Sequence, residues 1–341
     1  MRFAVFGLGA IGTYIGVSLS KAGHEVIFIE RPGLAGLDSL TLQLTINDQN
    51  LTVTHPIIVN SLEQAVKIGP IDVAVVAVKG FDTPALADQL AQNCAGFCAV
   101  MSLQNGVEND AVLAQACGAE KIIAATLTSA VGRRNLGNVV LERKRGIGIT
   151  RGHALSDGLF RALSAADLNP RLYESAKSMK WSKMLTNLLV NASSAILDMT
   201  PAEILKNPAL YDLEVRQIRE ALAVMQANHY PVVDLPGTPV KAEAFLFGRI
   251  PPGLSRPIVS QAIIGGRGAK MPSFHIDLAA GRKQLEVDYL NGAVARAAQA
   301  AGLSAPVNAA YNLILQEIAV GKRPWEQYQH HPERLIAEIN R

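Results

Sequence analysis

Six consecutive residues near the amino terminus have the spacing of a dinucleotide-binding loop. They match the pattern GxGxxG and are Gly7, Leu8, Gly9, Ala10, Ile11 and Gly12. Glycine permits a tight turn at the first position, close approach of a pyrophosphate at the second, and close helix–strand packing at the third. The helix that follows offers unpaired N–H groups to phosphate oxygens. The pattern predicts a cofactor site, and a glycine-rich turn without a ligand is the alternative.

Two charged residues end the next apolar run and indicate different forms of the cofactor. A carboxylate at Glu30 favours NAD, because it accepts hydrogen bonds from the ribose hydroxyls. A guanidinium at Arg31 favours NADP, because it pairs with the 2′-phosphate. A solvated charge is the plainer alternative for Arg31.

Three polar residues in the second half of the chain follow one another at intervals of four. Lys183, Asn187 and Asn191 share one face of the single helix that we predict over residues 175–197. Asparagine forms helices poorly, so two of them in a helix otherwise rich in Leu and Val suggest a use, such as lining a cleft. The spacing alone leaves a solvated helix face open as the alternative.

A second polar group lies further along the chain. Ser273 and Asp277 come first, and Glu286 then precedes a helix predicted over 287–301. Acidic residues in the first turn of a helix suit its dipole. By itself this segment is a capped, amphipathic helix, and its residue types leave a binding site open as the alternative.

The elements that position these residues differ between the two halves. Apolar runs predict strands over residues 2–6, 26–29, 73–78, 97–103, 122–126, 139–142 and 146–150. We also predict a helix over 10–21 and a hairpin over 41–54. Apolar strands that alternate with helices indicate a parallel sheet buried on both faces. We therefore predict an α/β protein with a Rossmann-type domain over 1–172.

Strand signals nearly vanish in the second half. Helical patterns cover residues 175–197, 201–228 and 287–301. They predict a mostly α-helical C-terminal domain over 173–341. Residues 235–272 are rich in Gly and Pro and predict a long loop. The cations of this loop that could recognise an anion are Arg256, Arg267 and Lys270.

Composition excludes several classes of protein. The chain has 341 residues, of which 49% are hydrophobic and 18% charged, and this composition excludes a wholly disordered chain. A net charge of +3 without a basic run gives no argument for nucleic acid. Three cysteines are too few for a disulfide framework and predict a reducing cytoplasm. The residue spacings predict no metal site.

Two further expectations concern the membrane and the assembly. The apolar amino terminus could be the start of a signal peptide, but its glycine spacing favours the dinucleotide loop. No other segment approaches the roughly 20 apolar residues that cross a bilayer. Amphipathic helices near the carboxyl terminus are compatible with a homodimer.

The order of these motifs resembles that of the ketopantoate reductases (2-dehydropantoate 2-reductases). The matching features are GLGAIG over 7–12, Val78-Lys79, Gln104-Asn105-Gly106, the helix with Lys183, Asn187 and Asn191, Ser273 with Asp277, and Glu286-Val287-Asp288. The resemblance implies a Rossmann domain joined to a helical domain, with the active site in the cleft between them. Arg31 is similar to the arginine that binds the 2′-phosphate in this family, which favours NADP(H).

The resemblance also implies a role for individual side chains. Lys183 would be the general acid, Glu286 would orient the substrate, Asn187 and Asn191 would hydrogen-bond it, Ser273 would bind its carboxylate, Asn105 would lie near the nicotinamide, and Lys79 would lie near the cofactor entrance. The implied reaction is the NADPH-dependent reduction of a 2-oxo acid, by default 2-dehydropantoate to (R)-pantoate in pantothenate biosynthesis.

Other functions remain open from the sequence. The link between Asp277 and Glu286 is one residue longer than is usual in the family, and it lies at the expected substrate site. A related enzyme could therefore reduce another 2-oxo acid or an imine, or oxidise a 3-hydroxy acid. A regulator that binds NADP(H) without turnover is the alternative from another class. The presence of Lys183 and Glu286 favours an enzyme.

Overall fold

The computed structural model describes residues 1–33, 40–267 and 270–340, with the side chains of 262–267 left out. The chain forms two compact units. The first contains Met1–Lys180 and Leu235–Thr238, and the second contains Trp181–Asp234 and Pro239–Arg341. The domain boundary predicted between residues 172 and 173 stays a prediction.

The first unit alternates strands and helices along most of its length. Its strands are β1 (Arg2–Phe6), β2 (Glu25–Ile29), β3 (Leu42–Ile46), β4 (Gln49–Val53), β5 (Ile57–Val59), β6 (Ile71–Val76), β7 (Phe97–Ser102), β8 (Ile122–Leu127), β9 (Ala130–Asn135), β10 (Asn138–Arg143), β11 (Ile147–Thr150) and β12 (Pro170–Tyr173). Its helices are α1 (Ala10–Lys21), α2 (Leu62–Ile68), α3 (Thr83–Gln92), α4 (Asn109–Cys117) and α5 (Ser156–Ala165).

The larger sheet has the strand order of a dinucleotide-binding fold. Its order is β12-β11-β8-β7-β6-β1-β2-β5, and every neighbouring pair is parallel except β11 with β8. The chain order reverses between β1 and β6. In open α/β sheets, ligands bind at the carboxyl ends of the strands at such a reversal. The predicted Rossmann-type sheet is confirmed.

Burial explains why these strands are apolar throughout. In β1, Phe3 and Val5 belong to the core on one face of the sheet, and Ala4 and Phe6 belong to the core on the other. Because helices cover both faces, neither face can be polar. Apolar residues are therefore expected at every position of these strands, without alternating polar residues.

A second sheet of the first unit has the order β4-β3-β10-β9. The predicted hairpin over 41–54 is confirmed as β3 and β4, joined through Asn47 and Asp48 with φ values of 46° and 63°. Two successive left-handed residues suit the twist of a tight hairpin. The strands predicted over 139–142 and 146–150 belong to different sheets, because β10 pairs with β3 and β9 whereas β11 pairs with β8.

The second unit is helical in its described part. Its helices are α6 (Ala176–Leu188, which begins in the first unit), α7 (Asn191–Leu197), α8 (Pro201–Lys206), α9 (Pro208–Ala227), α10 (Val240–Arg249), α11 (Pro252–Arg267), α12 (Ser273–Ala279), α13 (Ala293–Ala300), α14 (Pro306–Ala319) and α15 (Pro332–Ile339). A π-helical turn over Asp288–Gly292 leads into α13. Among the described residues, no helix is both long enough and apolar enough to cross a bilayer.

Two of the predicted helices are interrupted. The single helix predicted over 175–197 is wrong, since α6 ends at Leu188 and Val190 takes a left-handed φ of 55° before α7. The single helix predicted over 201–228 is also wrong. Asn207 has extended backbone and accepts hydrogen bonds from two N–H groups of α9, and Pro208 cannot donate to the preceding turn.

The loop predicted over 235–272 is also wrong for most of its length. Residues 240–249 and 252–267 are helical. Proline is well tolerated in the first turn of a helix, where Pro252 lies, and α11 also contains Pro257 in its interior. Of the cations expected to recognise an anion, Arg256 donates to the carbonyl oxygen of Lys206 and Lys270 is exposed. The side chain of Arg267 lies outside the described residues.

Candidate active site

The loop between β1 and α1 has the backbone geometry that its three glycines predict. Gly7 has a φ of +91°, which L side chains rarely adopt. A Cβ atom at Gly12 would lie 1.9 Å from the carbonyl oxygen of Gly7, so only glycine lets α1 pack this close. A Cβ atom at Gly9 would meet nothing within 4 Å. The loop therefore has no room for a side chain at Gly12 and has free space beside Gly9.

The amino terminus of α1 suits an anionic group. Gly9 is the N-cap residue and offers no side chain to the first N–H groups of the helix. No acidic residue lies in the first turn of α1. Unpaired N–H groups and the positive end of the helix dipole together favour phosphate oxygens. The residues present thus fit the phosphate groups of a dinucleotide.

Glu30 and Arg31 follow β2 beside this loop. The Glu30 carboxylate accepts hydrogen bonds from the N–H of Leu8 at 2.7 Å and from the N–H of Arg31 at 2.9 Å. The guanidinium of Arg31 is 79% exposed and lies 3.9 Å from the Asp82 carboxylate. The Glu30 carboxylate is thus hydrogen-bonded to the glycine-rich loop, whereas the Arg31 guanidinium extends into solvent.

A buried amide links the strand ends that carry Lys79 and Asn105. Gln104, which follows β7, donates through Nε2 to the carbonyl oxygens of Val78 and Lys79 and to the hydroxyl of Thr83. Both carbonyl oxygens lie 3.2 Å from the nitrogen. The connection after β6 is therefore held to the end of β7, next to the reversal of strand order.

Asn105 belongs to the same group of hydrogen bonds. Its carbonyl oxygen accepts from the Asn109 amide at 2.7 Å, and the other atom of that amide accepts from the Thr83 hydroxyl. Lys180 donates to the carbonyl oxygens of Ser102 and Gln104, each at 3.1 Å. Its ammonium is 4% exposed and lies 3.3 Å from the Asp110 carboxylate.

Sequence reasoning missed the part that Gln104 and Lys180 play. Lys180 comes before the apolar stretch of its helix and resembles an exposed lysine in sequence. Its carbonyl partners lie 76 and 78 residues away along the chain. The position of Gln104 directly before the Asn105-Gly106 turn is the sequence feature that could have indicated its role.

Lys183 and Asn187 lie one turn apart on α6 and are both half-buried. Asn191 opens α7, beyond the left-handed Val190. The three residues therefore do not continue along one helix face as predicted. The Asn191 amide nevertheless returns to the end of α6, since its Nδ2 donates to the carbonyl oxygen of Asn187 at 3.2 Å.

The structure brings Asn191 and Ser273 together through the backbone of α12. The Oδ1 atom of Asn191 accepts a hydrogen bond from the N–H of Phe274 at 3.2 Å. Ser273 is the residue before, and it is exposed. His275 binds the Asp198 carboxylate at the other end of α7, with 2.6 Å between Nε2 and Oδ1. Helix α12 is thus fastened to α7 at two points.

Glu286 lies just before the π-helical turn and is 4% exposed. Its carbonyl oxygen accepts from the N–H of Tyr289 at 3.0 Å. Single π-helical turns are frequent at functional sites. Asp277, which the sequence placed in the same motif, pairs with Arg282 at 3.3 Å.

The sequence-predicted residues divide between the two units. The loop glycines, Arg31, Lys79 and Asn105 belong to the first unit. Lys183, Asn187, Asn191, Ser273 and Glu286 belong to the second. Each set is chemically coherent, since one can hold a dinucleotide and the other carries an ammonium, a carboxylate, amides and a hydroxyl.

Comparison with known proteins gives the same division. The family model "Ketopantoate reductase PanE/ApbA" matches residues 3–152, and its C-terminal model matches residues 175–318. A 2-dehydropantoate 2-reductase of Archaeoglobus fulgidus is 26% identical over 319 residues, which cover 90% of this chain and 94% of that protein.

Two solved structures share the fold. A PanE/ApbA family ketopantoate reductase from Ralstonia eutropha JMP134 superposes with a TM-score of 0.78 at 23% identity, covering 94% of this chain and 99% of that one. A D-mandelate dehydrogenase, solved with NADH and anilino(oxo)acetate, has a TM-score of 0.75 at 18% identity and full coverage of both chains.

The two family models together span most of the sequence, and the first of them includes the glycine-rich loop over residues 7–12. The chain therefore belongs to the ketopantoate reductase family, whose members are oxidoreductases acting on a CH–OH group.

Proposed function

We propose that this chain reduces 2-dehydropantoate to (R)-pantoate with NADPH. The observation that carries the proposal is the hydrogen bond from Phe274 to Asn191, which joins the segment bearing Lys183 and Asn187 to Ser273. A 2-oxo acid presents a carbonyl beside a carboxylate. Amide, hydroxyl and ammonium donors on neighbouring elements suit both groups.

In this proposal, Lys183 holds a proton at Nζ and donates it to the oxygen of the substrate carbonyl. The bound reduced nicotinamide supplies the hydride. An ammonium near the carbonyl oxygen stabilises the negative charge that develops there, and a positioned acid contributes about 10²–10⁴-fold in rate. The carbonyl carbon gains the hydride and its oxygen gains the proton, so the product is a 2-hydroxy acid.

The remaining polar residues hold the substrate. Glu286 accepts a hydrogen bond from the substrate hydroxyl and orients it. Ser273 donates to the carboxylate, and Asn187 donates or accepts through its amide. Asn191 already uses one amide hydrogen and its oxygen within the unit. Its second amide hydrogen is the one that it offers to the substrate.

The proposed cofactor is NADP(H). The guanidinium of Arg31 is exposed and would pair with the 2′-phosphate, while the Glu30 carboxylate would stay bound to the N–H groups of Leu8 and Arg31. Gly7–Gly12 hold the pyrophosphate. Asn105 would lie near the nicotinamide, and Lys79 would contact the cofactor near its entrance.

A reductase assay with matched lysine variants tests the reaction. The purified protein is mixed with NADPH and 2-dehydropantoate, then with a panel of other 2-oxo acids, and NADPH consumption and product are measured. We expect Lys183→Ala to lower kcat by about 10²–10⁴-fold with unchanged affinity for NADPH. Lys177→Ala is the control, because Lys177 is an exposed lysine on the same helix.

The panel also separates the alternatives. Turnover of another 2-oxo acid alone would retain the chemistry and reject pantoate formation. Consumption that depends on an added amine would indicate imine reduction. Binding of NADPH without turnover of any substrate would favour a regulator and reject the proposal.

Cofactor choice has its own test. We expect Arg31→Ala to lower kcat/KM for NADPH by about 10–100-fold, the loss of a charged hydrogen-bond pair, with little change for NADH. We expect Glu30→Gln to raise the ratio of kcat/KM for NADPH to that for NADH, because it removes a negative charge near the phosphate. A wild-type preference for NADH would reject NADP(H) as the cofactor.

We also propose that the protein is a cytoplasmic homodimer that binds neither nucleic acid nor a membrane. The described cysteines are unpaired, as a reducing compartment allows. Sedimentation of the purified protein measures its mass, and a monomer at working concentration would contradict the dimer.

A further inference from the structure

Glu214 on α9 is a carboxylate without any exposed surface, and the proposed reaction does not use it. Its Oε2 atom accepts hydrogen bonds from the N–H of Val190 and from Nε2 of Gln217, both at 2.6 Å. Its Oε1 atom accepts from the hydroxyl of Tyr311 at 3.3 Å. Three donors from three segments of the second unit thus converge on one carboxylate.

The Glu214 carboxylate binds the backbone at Val190, where the helix is interrupted. Its φ of 55° is in the left-handed region, which is strained for a β-branched residue. In a continuous helix its N–H would donate to the carbonyl oxygen four residues earlier. It donates instead to Glu214, and Gln217 donates to the carbonyl oxygen of Leu188 at 3.3 Å. Two side chains of α9 therefore satisfy backbone groups that the break sets free.

The break lies between two of the proposed substrate residues. Asn187 comes three residues before Val190, and Asn191 comes directly after it. Asn191 in turn accepts the N–H of Phe274, the neighbour of Ser273. The angle at Val190 therefore decides where Asn191 and the start of α12 lie relative to Asn187.

We propose that Glu214 is a positioning residue for the substrate, which it acts upon through Val190, Asn191 and the start of α12. This inference rests on the proposed function, because it assigns Asn187, Asn191 and Ser273 to the substrate. A carboxylate suits the task because it can accept from several donors at once and offers no N–H of its own.

The surroundings of Glu214 keep it in place. The side-chain oxygen of Gln217 accepts from the Asn291 amide at 3.0 Å, and the backbone carbonyl oxygen of Gln217 accepts from the Asn308 amide at 3.0 Å. Both asparagines are fully buried. The carboxylate is thus the end of a buried polar network, and Val190 is the point at which that network reaches the substrate residues.

Two variants of Glu214 differ in whether the side chain can accept a hydrogen bond from Val190. Glu214→Gln keeps an oxygen that can accept from Val190, and its amide can donate to the Tyr311 hydroxyl, which is also an acceptor. Glu214→Leu has a similar volume and no acceptor. We expect Glu214→Leu to raise KM for the 2-oxo acid at least about 10-fold, in line with the loss from a small misplacement of substrate-binding groups. KM for NADPH should not change, and Glu214→Gln should stay within about 3-fold of the wild type.

A stability control uses the same helix. Asn207→Ala removes the N-cap of α9, whose Oδ1 accepts from the N–H groups of Ala209 and Leu210, without touching the break. It should lower the melting temperature and leave both KM values unchanged. If Glu214→Leu does not fold, Glu214→Asp replaces it, since the shorter side chain keeps the charge but cannot reach Val190.

Hydrogen exchange at the amide of Val190 gives a readout that needs no substrate. The wild type and Glu214→Gln should protect this amide, and Glu214→Leu should not. Equal KM values for the oxo acid in all variants, or an equal rise of KM for NADPH, would overturn the proposal. A wild type without turnover of any 2-oxo acid would instead overturn the proposed function, and loss of protection at Val190 would still report the bond to Glu214.

Discussion

Replacing Gly9 by alanine separates the folding of the dinucleotide loop from its function. Gly9 has φ −73° and ψ −173°, which is extended backbone that alanine adopts without strain. The added Cβ atom meets nothing within 4 Å. Alanine also restricts the unfolded chain, which is worth about 0.4–1 kcal/mol. We therefore expect the melting temperature of the free protein to stay unchanged or to rise slightly.

Binding of NADPH should respond in the opposite direction. The Cβ atom takes the space through which phosphate oxygens would approach the N–H groups of α1. Losing one or two hydrogen bonds to a charged group costs about 3 kcal/mol, or roughly 100-fold in Kd. At a concentration of 100 times the wild-type Kd, NADPH stabilises the wild type by about 2.7 kcal/mol, and the variant should then gain only about 0.4 kcal/mol.

Thermal unfolding with and without NADPH measures both effects. A stabilisation of this size raises the melting temperature of a unit of this length by several degrees in the wild type, and by about 1 °C in Gly9→Ala. Gly158→Ala is the control, because Gly158 lies in α5 and its Cβ atom would also meet nothing within 4 Å. A full NADPH shift in Gly9→Ala would refute the placement of the pyrophosphate at this loop.

Three further predictions concern other parts of the chain. Lys180→Met removes a buried ammonium from two carbonyl oxygens and from Asp110, and it should lower the free energy of unfolding by roughly 3 kcal/mol; an unchanged denaturant midpoint would contradict this role. Burial raises the pKa of the Cys117 thiol to about 11, so at mildly alkaline pH a thiol reagent should modify the exposed Cys98 and spare Cys117 until the protein unfolds, and early labelling of Cys117, located by mass spectrometry, would show that the thiol is accessible. Burial also raises the pKa of Glu214 to about 7 from an ordinary 4.5. Between these values the folded state binds more protons than the unfolded state. The free energy of unfolding should therefore fall by on the order of 3 kcal/mol as pH rises from about 4.5 to 7, and then level off. In urea unfolding measured across pH, Glu214→Gln should lack this slope.

Much of the first unit could be predicted from the sequence, because the relevant signals are local. The helix predicted over 10–21 has the bounds of α1, and Gly23, with a φ of 83°, follows its end as a helix stop. The spacing of Gly7, Gly9 and Gly12 reports the close approach of strand, loop and helix within six residues. Apolar runs report strands buried on both faces, wherever their partners lie.

The second unit shows where local signals end. The periodicity of residues 175–197 is that of a helix on both sides of Val190, and nothing in it marks a break. At the break, the N–H of Val190 donates to Glu214, which lies 24 residues further along the chain. Likewise, the Gly and Pro content of 235–272 indicated a loop, but tertiary packing outweighs weak helix propensity.

The sequence by itself thus determined the parallel sheet, the dinucleotide loop and the residue types available for chemistry. Only the tertiary structure decided which of these residues meet. Lys180 is buried against carbonyl oxygens 76 and 78 residues away, and Asn191 reaches Phe274 across 83 residues. A buried ammonium or amide must find hydrogen-bond partners, and those partners are set by the packing of distant elements, which no local pattern records.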